Sequence, residues 1–226
     1  VEGRACNQSK NVMKKIAIYR SIFGGYDKVL PVKYQDEADS YLFTDRMPEE
    51  KGYNVIIRSE PANNLRRKSR IYKMQPWKYL PEYEYYIYLD GNIEILQSPK
   101  MLIRKYLKRY DIAAFKHPWR NCIYDEIDIC REIRYVTPEA AREVFEFMIQ
   151  EDYPRNNGLT ENGVILWRNT PQVKEFGKKW HELYTRFAER DQFYFCYVAW
   201  KLGIKYNVMI DNIRNNPINF KWLGHL

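Results

Sequence analysis

The chain has 226 residues, of which 45% are hydrophobic, 16% aromatic and 29% charged. That composition supplies one sizeable core and contains neither an apolar run of about 18 residues to span a membrane nor a secretory-signal pattern. A net charge of +8 with 20 tyrosines points to an anionic partner: a phosphorylated small molecule, a nucleic acid or an anionic lipid.

Val1-Glu2-Gly3-Arg4 resembles a protease-site remnant and Met13 a natural start. Residues 1–12 are therefore set apart as a leader, and 13–226 are read as one domain, whether whole or a piece of a larger protein. Cys6 lies in the leader. Cys122, Cys130 and Cys196 are an odd number without C-x-x-C spacing. This argues against a disulfide framework or a zinc site, and for a reducing compartment such as the cytoplasm.

A strand is predicted over Lys14–Ser21, followed by the glycine loop Phe23-Gly24-Gly25-Tyr26-Asp27. Tyr41-Leu42-Phe43 is a second strand ending in Thr44-Asp45, and Asn54–Arg58 a third. Residues 65–80 read as a helix that stops before Pro81, with Arg66, Arg70 and Lys73 on one face at spacings of four and three. Tyr85–Leu89 is a buried central strand. Ser98-Pro99, Thr137-Pro138 and Thr170-Pro171 each pair a cap with a first-turn proline, opening helices to about Tyr110, Gln150 and Phe187. Strands are predicted at Asp111–Phe115, Gly163–Trp167 and Tyr206–Ile210, and a helix apolar on all sides at Asp191–Leu202. Alternating strands and helices predict an α/β/α sandwich with a mostly parallel central sheet, whose ligands bind at the carboxyl ends of strands.

The central strand ends in Asp90-Gly91-Asn92. Two hard oxygens two residues apart can meet a Mg²⁺ or Mn²⁺ that carries a diphosphate, with Gly91 allowing a sharp turn and close approach. A plain Asx turn at a strand exit has the same sequence. The Arg66, Arg70, Lys73 stripe could neutralise a diphosphate, or be a solvated helix face. Glu161-Asn162-Gly163 could hold a polyhydroxyl ligand, or be a loop whose Asn caps a turn. Asp191 is a helix N-cap that could also act as a general base. His225 follows the apolar anchors Phe220 and Trp222, which could dock the tail and supply a third metal ligand. No G-x-x-x-x-G-K-[ST], G-x-G-x-x-G or G-x-S-x-G occurs, which argues against P-loop, Rossmann and serine-hydrolase chemistry.

In chain order, Ile22-Phe23-Gly24-Gly25-Tyr26-Asp27, Tyr41–Asp45, Arg70-x-x-Lys73 with Pro76-Trp77, Tyr88–Asn92, His117-Pro118, Cys122–Glu126, Glu161-Asn162-Gly163 and Arg190-Asp191-Gln192 resemble nucleotide-sugar glycosyltransferases of the GT-A fold. They more closely resemble a family once known only as a domain of unknown function. It includes plant Golgi proteins of the mucilage and pollen-tube type, with bacterial and large-DNA-virus members; the chain also resembles the glycosyltransferase domain of an algal-virus protein that decorates capsid glycans, which implies the host cytoplasm. The resemblance implies a metal-dependent enzyme that moves a hexose or deoxyhexose from a UDP-sugar, such as UDP-glucose, to a hydroxyl of a glycan or glycoprotein, with no nucleic-acid partner. It implies that Tyr19, Arg20, Ser21 and Asp45 hold base and ribose, and that Arg70 and Lys73 contact the diphosphate or donor sugar. Asp90 and Asn92 would bind Mn²⁺ or Mg²⁺ with His225 as third ligand. Glu161, Asn162 and Asp191 would face sugar and acceptor. If the reaction inverts, Asp191 is the first choice for the base and Glu161 the second; a retaining reaction needs neither. The family's Asp-x-Asp has Asn92 in its third position here, which weakens that ligand. Two other classes fit the composition: a non-catalytic nucleic-acid-binding module, and a nucleotidyltransferase or phosphoesterase, which normally clusters more carboxylates.

Overall fold

The computed structural model describes residues 15–58, 65–211, 213–215 and 217–224, with only the backbone of 66–68. The elements follow in the order β1 (Ile16–Ile22), β2 (Asp39–Thr44), β3 (Asn54–Ile57), α1 (Leu65–Met74), a 3-10 turn (Pro76–Lys78), β4 (Tyr85–Leu89), β5 (Ile93–Ile95), α2 (Pro99–Tyr106), β6 (Ile112–Lys116), α3 (Ile123–Glu132), α4 (Pro138–Gln150), β7 (Thr160–Arg168), α5 (Pro171–Arg186), α6 (Gln192–Lys201), β8 (Asn207–Met209) and β9 (Phe220–Trp222).

Seven strands form one sheet in the order β3-β2-β1-β4-β7-β6-β8, and β5 pairs with β9 in a small second sheet. β1 through β4 are mutually parallel, β7 runs antiparallel to both β4 and β6, and β8 is parallel to β6. The mostly parallel α/β/α sandwich expected from the sequence is the fold observed. The central strands are apolar on both faces because both faces are covered. Tyr19, Tyr86, Tyr88, Ile165 and Trp167 pack against α1, α3, α4, α5 and α6. Ile16, Ile18, Ile87, Leu89, Val164 and Leu166 pack on the other side against α2, β5 and β9.

The three cap-then-proline signals form as read. Ser98, Thr137 and Thr170 accept hydrogen bonds from the N–H groups of Met101, Ala140 and Val173 at 3.4, 3.2 and 3.3 Å. The helix predicted over 65–80 stops at Met74. Pro76 has no N–H to continue it and forces Gln75 out of the helical region, to φ −138° and ψ 56°. Helix α3 is missing from the sequence reading because Cys122 gives it no side-chain cap and its inward face includes Glu126 and Cys130. β5 and β9 are three-residue strands, too short to show a period. The cysteines at 122, 130 and 196 are free and buried. Among the described residues no helix is long and apolar enough to cross a membrane.

Candidate active site at the carboxyl ends of β1 and β4

A cleft of about 510 Å³ opens where β1 and β4 end. Ser21, Gly24, Tyr26 and Asp27 line it from the β1 side, Ser69 and Arg70 from α1, Asp90 and Gly91 from β4, and Tyr135 and Arg190 from the helical layer. The topology thus gathers Ser21, Arg70, Asp90 and Gly91 from the expected set. It adds Asp27, Tyr135 and Arg190. Asp27 and Arg190 stood inside motifs already noted, while Tyr135 follows a helix the sequence reading missed.

Asp90 is the anchor of this cleft. Its side chain is about one-third exposed. Oδ1 accepts from the Tyr88 hydroxyl at 2.7 Å, and Lys73 Nζ lies 3.7 Å from the same oxygen. Gly163 is close behind: a Cβ there would stand 3.3 Å from Asp90 Oδ2, so glycine keeps room for the carboxylate. The chain turns at Gly91 as the sequence reading expected, with Ile93 N–H donating to Asp90 O at 3.1 Å. The Gly91 backbone is not in the left-handed region. Its lack of a side chain admits Asp27, whose Cβ and Oδ2 would lie 2.5 and 2.7 Å from an added Cβ.

Several residues expected at the ligand carry structural contacts. The Tyr19 ring is fully buried, and its hydroxyl donates to Lys73 O at 2.8 Å while accepting from Trp167 Nε1 at 3.0 Å. Arg20 is buried and donates to the carbonyls of Asp90 at 2.7 Å and Ile93 at 2.8 Å. It thereby fixes the turn after β4 rather than a ligand. Ser21 Oγ donates to Ser69 O at 3.0 Å. Asp45 Oδ2 accepts from Gly24 N at 2.9 Å, holding the glycine loop; its Oδ1 is buried with no hydrogen-bond partner among the described residues.

Lys73 and Asp191 correct the sequence reading most. Lys73 is 2% exposed and its Nζ donates to Asp191 Oδ2 at 2.6 Å. Arg70 Nε lies 3.8 Å from the same oxygen. Burial alone would raise the Asp191 carboxyl, but Lys73 and Arg70 outweigh it and hold the group below the usual carboxylate range. An acid so held is a poor proton acceptor, so Asp191 is not a free general base. It does not cap α6 with its side chain either. Glu161, the second choice, is engaged at both oxygens by Arg214, whose guanidinium lies over the rings of Trp119 and Trp222. Neither carboxylate waits for an acceptor proton.

Asn92 is buried, is absent from the cleft lining, and accepts Leu223 N–H on its carbonyl at 2.9 Å. Asn162 is 3% exposed, and among the described residues neither its Oδ1 nor its Nδ2 has a hydrogen-bond partner. His225 and the Arg66 side chain lie outside the described residues. Among the described residues no group of three or more His, Cys, Asp or Glu side chains is arranged to hold a metal ion.

Residues 52–219 match the family described as TOD1/MUCI70, glycosyltransferase-like domain. The chain belongs to that family. It is 24% identical over 228 residues to the probable hexosyltransferase MUCI70 of Arabidopsis thaliana, a match covering 85% of this chain and 38% of that protein. The chain thus spans little more than a third of the curated relative it matches. Among solved structures, the apo-form glycosyltransferase GlyE of Streptococcus pneumoniae superposes with a TM-score of 0.47 at 14% identity, covering 87% of this chain and 45% of that one. Mouse xyloside xylosyltransferase 1, also in apo form, superposes with a TM-score of 0.48 at 11% identity, covering 87% and 84%.

Proposed function

We propose that this glycosyltransferase-like domain moves a hexose or deoxyhexose from a UDP-sugar to a hydroxyl of a glycan or glycoprotein acceptor, with Mn²⁺ or Mg²⁺. The observation that carries the reading is Asp90, a partly exposed carboxylate at the end of a buried central strand, in a cleft that also presents Arg70. Ligands of open α/β sheets bind at such strand ends. The hexose follows from the Arabidopsis relative, whose name describes a probable hexosyltransferase.

The donor set suits a hard divalent cation. Asp90 supplies one carboxylate and Asp27 lines the same cleft, and oxygen ligands are what Mg²⁺ and Mn²⁺ take. Such an ion, when bound, would neutralise charge on the leaving diphosphate. Arg70 would bind the same group through its guanidinium, which Asp191 holds in place. Burial works to lower the Arg70 guanidinium, but Asp191, Tyr88 and Asp90 raise it further, so it stays charged throughout. Arg20 keeps the turn carrying Asp90 and Gly91 rigid, so the site needs little reorganisation when the donor arrives. With Asp191 and Glu161 engaged in ion pairs, the acceptor proton goes to another group, such as the departing phosphate.

The test is UDP-sugar turnover with Mn²⁺. Asp90→Ala should lower kcat/KM by at least about 100-fold, or ~2.7 kcal/mol of transition-state stabilisation, with an unchanged melting curve. Metal-dependent turnover that survives this substitution would falsify the assignment.

A further inference from the structure

Among the described residues the cleft carries two arginines, Arg70 and Arg190, and the charge network described so far uses only Arg70. Arg190 enters from the residue before Asp191, with its side chain 20% exposed. Its guanidinium lies 5.4 Å from the centre of the Tyr135 ring, and both residues line the cleft. Nη2 donates to Glu126 Oε1 at 3.2 Å. Nε is buried and has no hydrogen-bond partner among the described residues.

Glu126 is wholly inaccessible, and several groups converge on it. Arg120 Nε donates to Oε2 at 2.5 Å, and Cys130 Sγ donates to Oε1 at 3.4 Å. His117 Nε2 lies 3.8 Å from Oε2. His117 Nδ1 accepts from the N–H groups of Trp119 and Arg120 at 3.4 and 3.1 Å, which places the ring proton on Nε2, toward the carboxylate. A neutral histidine leaves one carboxylate between two guanidinium groups. Asp191 also acts on Arg190 through space, while its nearest charged partners are Lys73 and Arg70. A buried carboxylate tied down by this many donors fixes direction more than it adds stability. Of the two arginines it holds, Arg190 is the one that lines the cleft.

We propose that Arg190 binds the diphosphate of the nucleotide donor, and that Glu126 is a positioning residue that holds its guanidinium in the cleft. This rests on the donor reading above. Arg190 offers the planar fork that phosphate oxygens accept, and Tyr135 limits its swing. Lys73, which the spacing on α1 had suggested for this task, is spent on Asp191; Arg190 takes its place from the opposite end of the sequence.

The experiment is calorimetric titration of the whole chain with UDP and with uridine, Mn²⁺ present throughout. Arg190→Ala should weaken UDP on the order of tenfold to a hundredfold and leave uridine within about twofold. Glu126→Gln should weaken UDP by a smaller factor. The double variant should be no worse than Arg190→Ala alone, because Glu126 acts only through Arg190; a merely structural Glu126 would give additive losses. Circular dichroism melts show that each variant folds, and Arg190→Lys replaces the alanine variant if that one does not. Equal weakening of UDP and uridine, or unchanged UDP affinity, overturns the proposal. A wild-type chain that binds neither UDP nor uridine overturns the donor reading instead.

Discussion

Lys73 and Asp191 stand 118 residues apart in sequence, yet their charged atoms meet at 2.6 Å in the interior. The pair ties α1 to the start of α6 beneath the cleft. Removing one partner strands the other charge in a medium that cannot solvate it, which costs about 3–5 kcal/mol. Lys73→Met and Asp191→Asn should each lower stability by that order in urea melts. The double variant should lose less than the sum of the singles. An unchanged midpoint for either single variant would show that the pair is not an internal ion pair at all.

Acid should weaken this protein in two separable steps. Burial lowers the His117 imidazole from its ordinary 6.5, with Arg120 and Arg190 adding to it against Glu126 and Glu161. Between the lowered folded value and 6.5, the unfolded chain binds more protons than the folded one. Stability therefore rises with pH in that window and is lost as pH falls through it. The Asp191 carboxyl, held below its ordinary 3.8, adds a second loss only below that ordinary value. His117→Asn should flatten the first step, seen as Tm measured from about pH 7.5 down to about pH 5. An identical slope in the variant would remove His117 as the cause.

Gly177 lies inside α5, where exchange for alanine ordinarily gains about 1 kcal/mol. Here the sign reverses. An added Cβ would collide with the Met74 carbonyl oxygen and stand 2.7 and 2.8 Å from Trp77 ring carbons. Backbone cannot yield as a flexible side chain can, so Gly177→Ala should cost about 1–3 kcal/mol. A rise in Tm would mean that α5 and the 3-10 turn are not in contact.

The parts of the fold visible in the sequence are those written in local chemistry. Tyr85–Leu89 is apolar throughout because two layers cover it, and Ser98-Pro99, Thr137-Pro138 and Thr170-Pro171 carry their caps on adjacent residues. The site was visible only in part. Asp90 follows its strand directly, so the strand's end locates it. The roles of Lys73, Asp191 and Glu161 depend on which distant charge each one meets, and nothing local to Glu161 announces Arg214. Residue type alone made all three candidates for chemistry; the fold pairs them off. Arg190 ran the other way. It stood beside a residue that drew attention as an acid, and only the arrival of Tyr135 and Glu126 from α3 and the turn after it sets it in the cleft.

The sheet order has a kinetic consequence. β4 finds one neighbour in β1, far upstream, and the other in β7, far downstream, with Tyr85 opposite Ile16 on one side and Arg168 on the other. Closing such distant pairs is slow, because chain entropy is lost before contacts repay it. Until β7 docks, Tyr-Tyr-Ile-Tyr-Leu is an uncharged strand with an open edge, the kind that recruits other chains. The segment that ends in Asp90 is therefore also where misassembly during folding would begin.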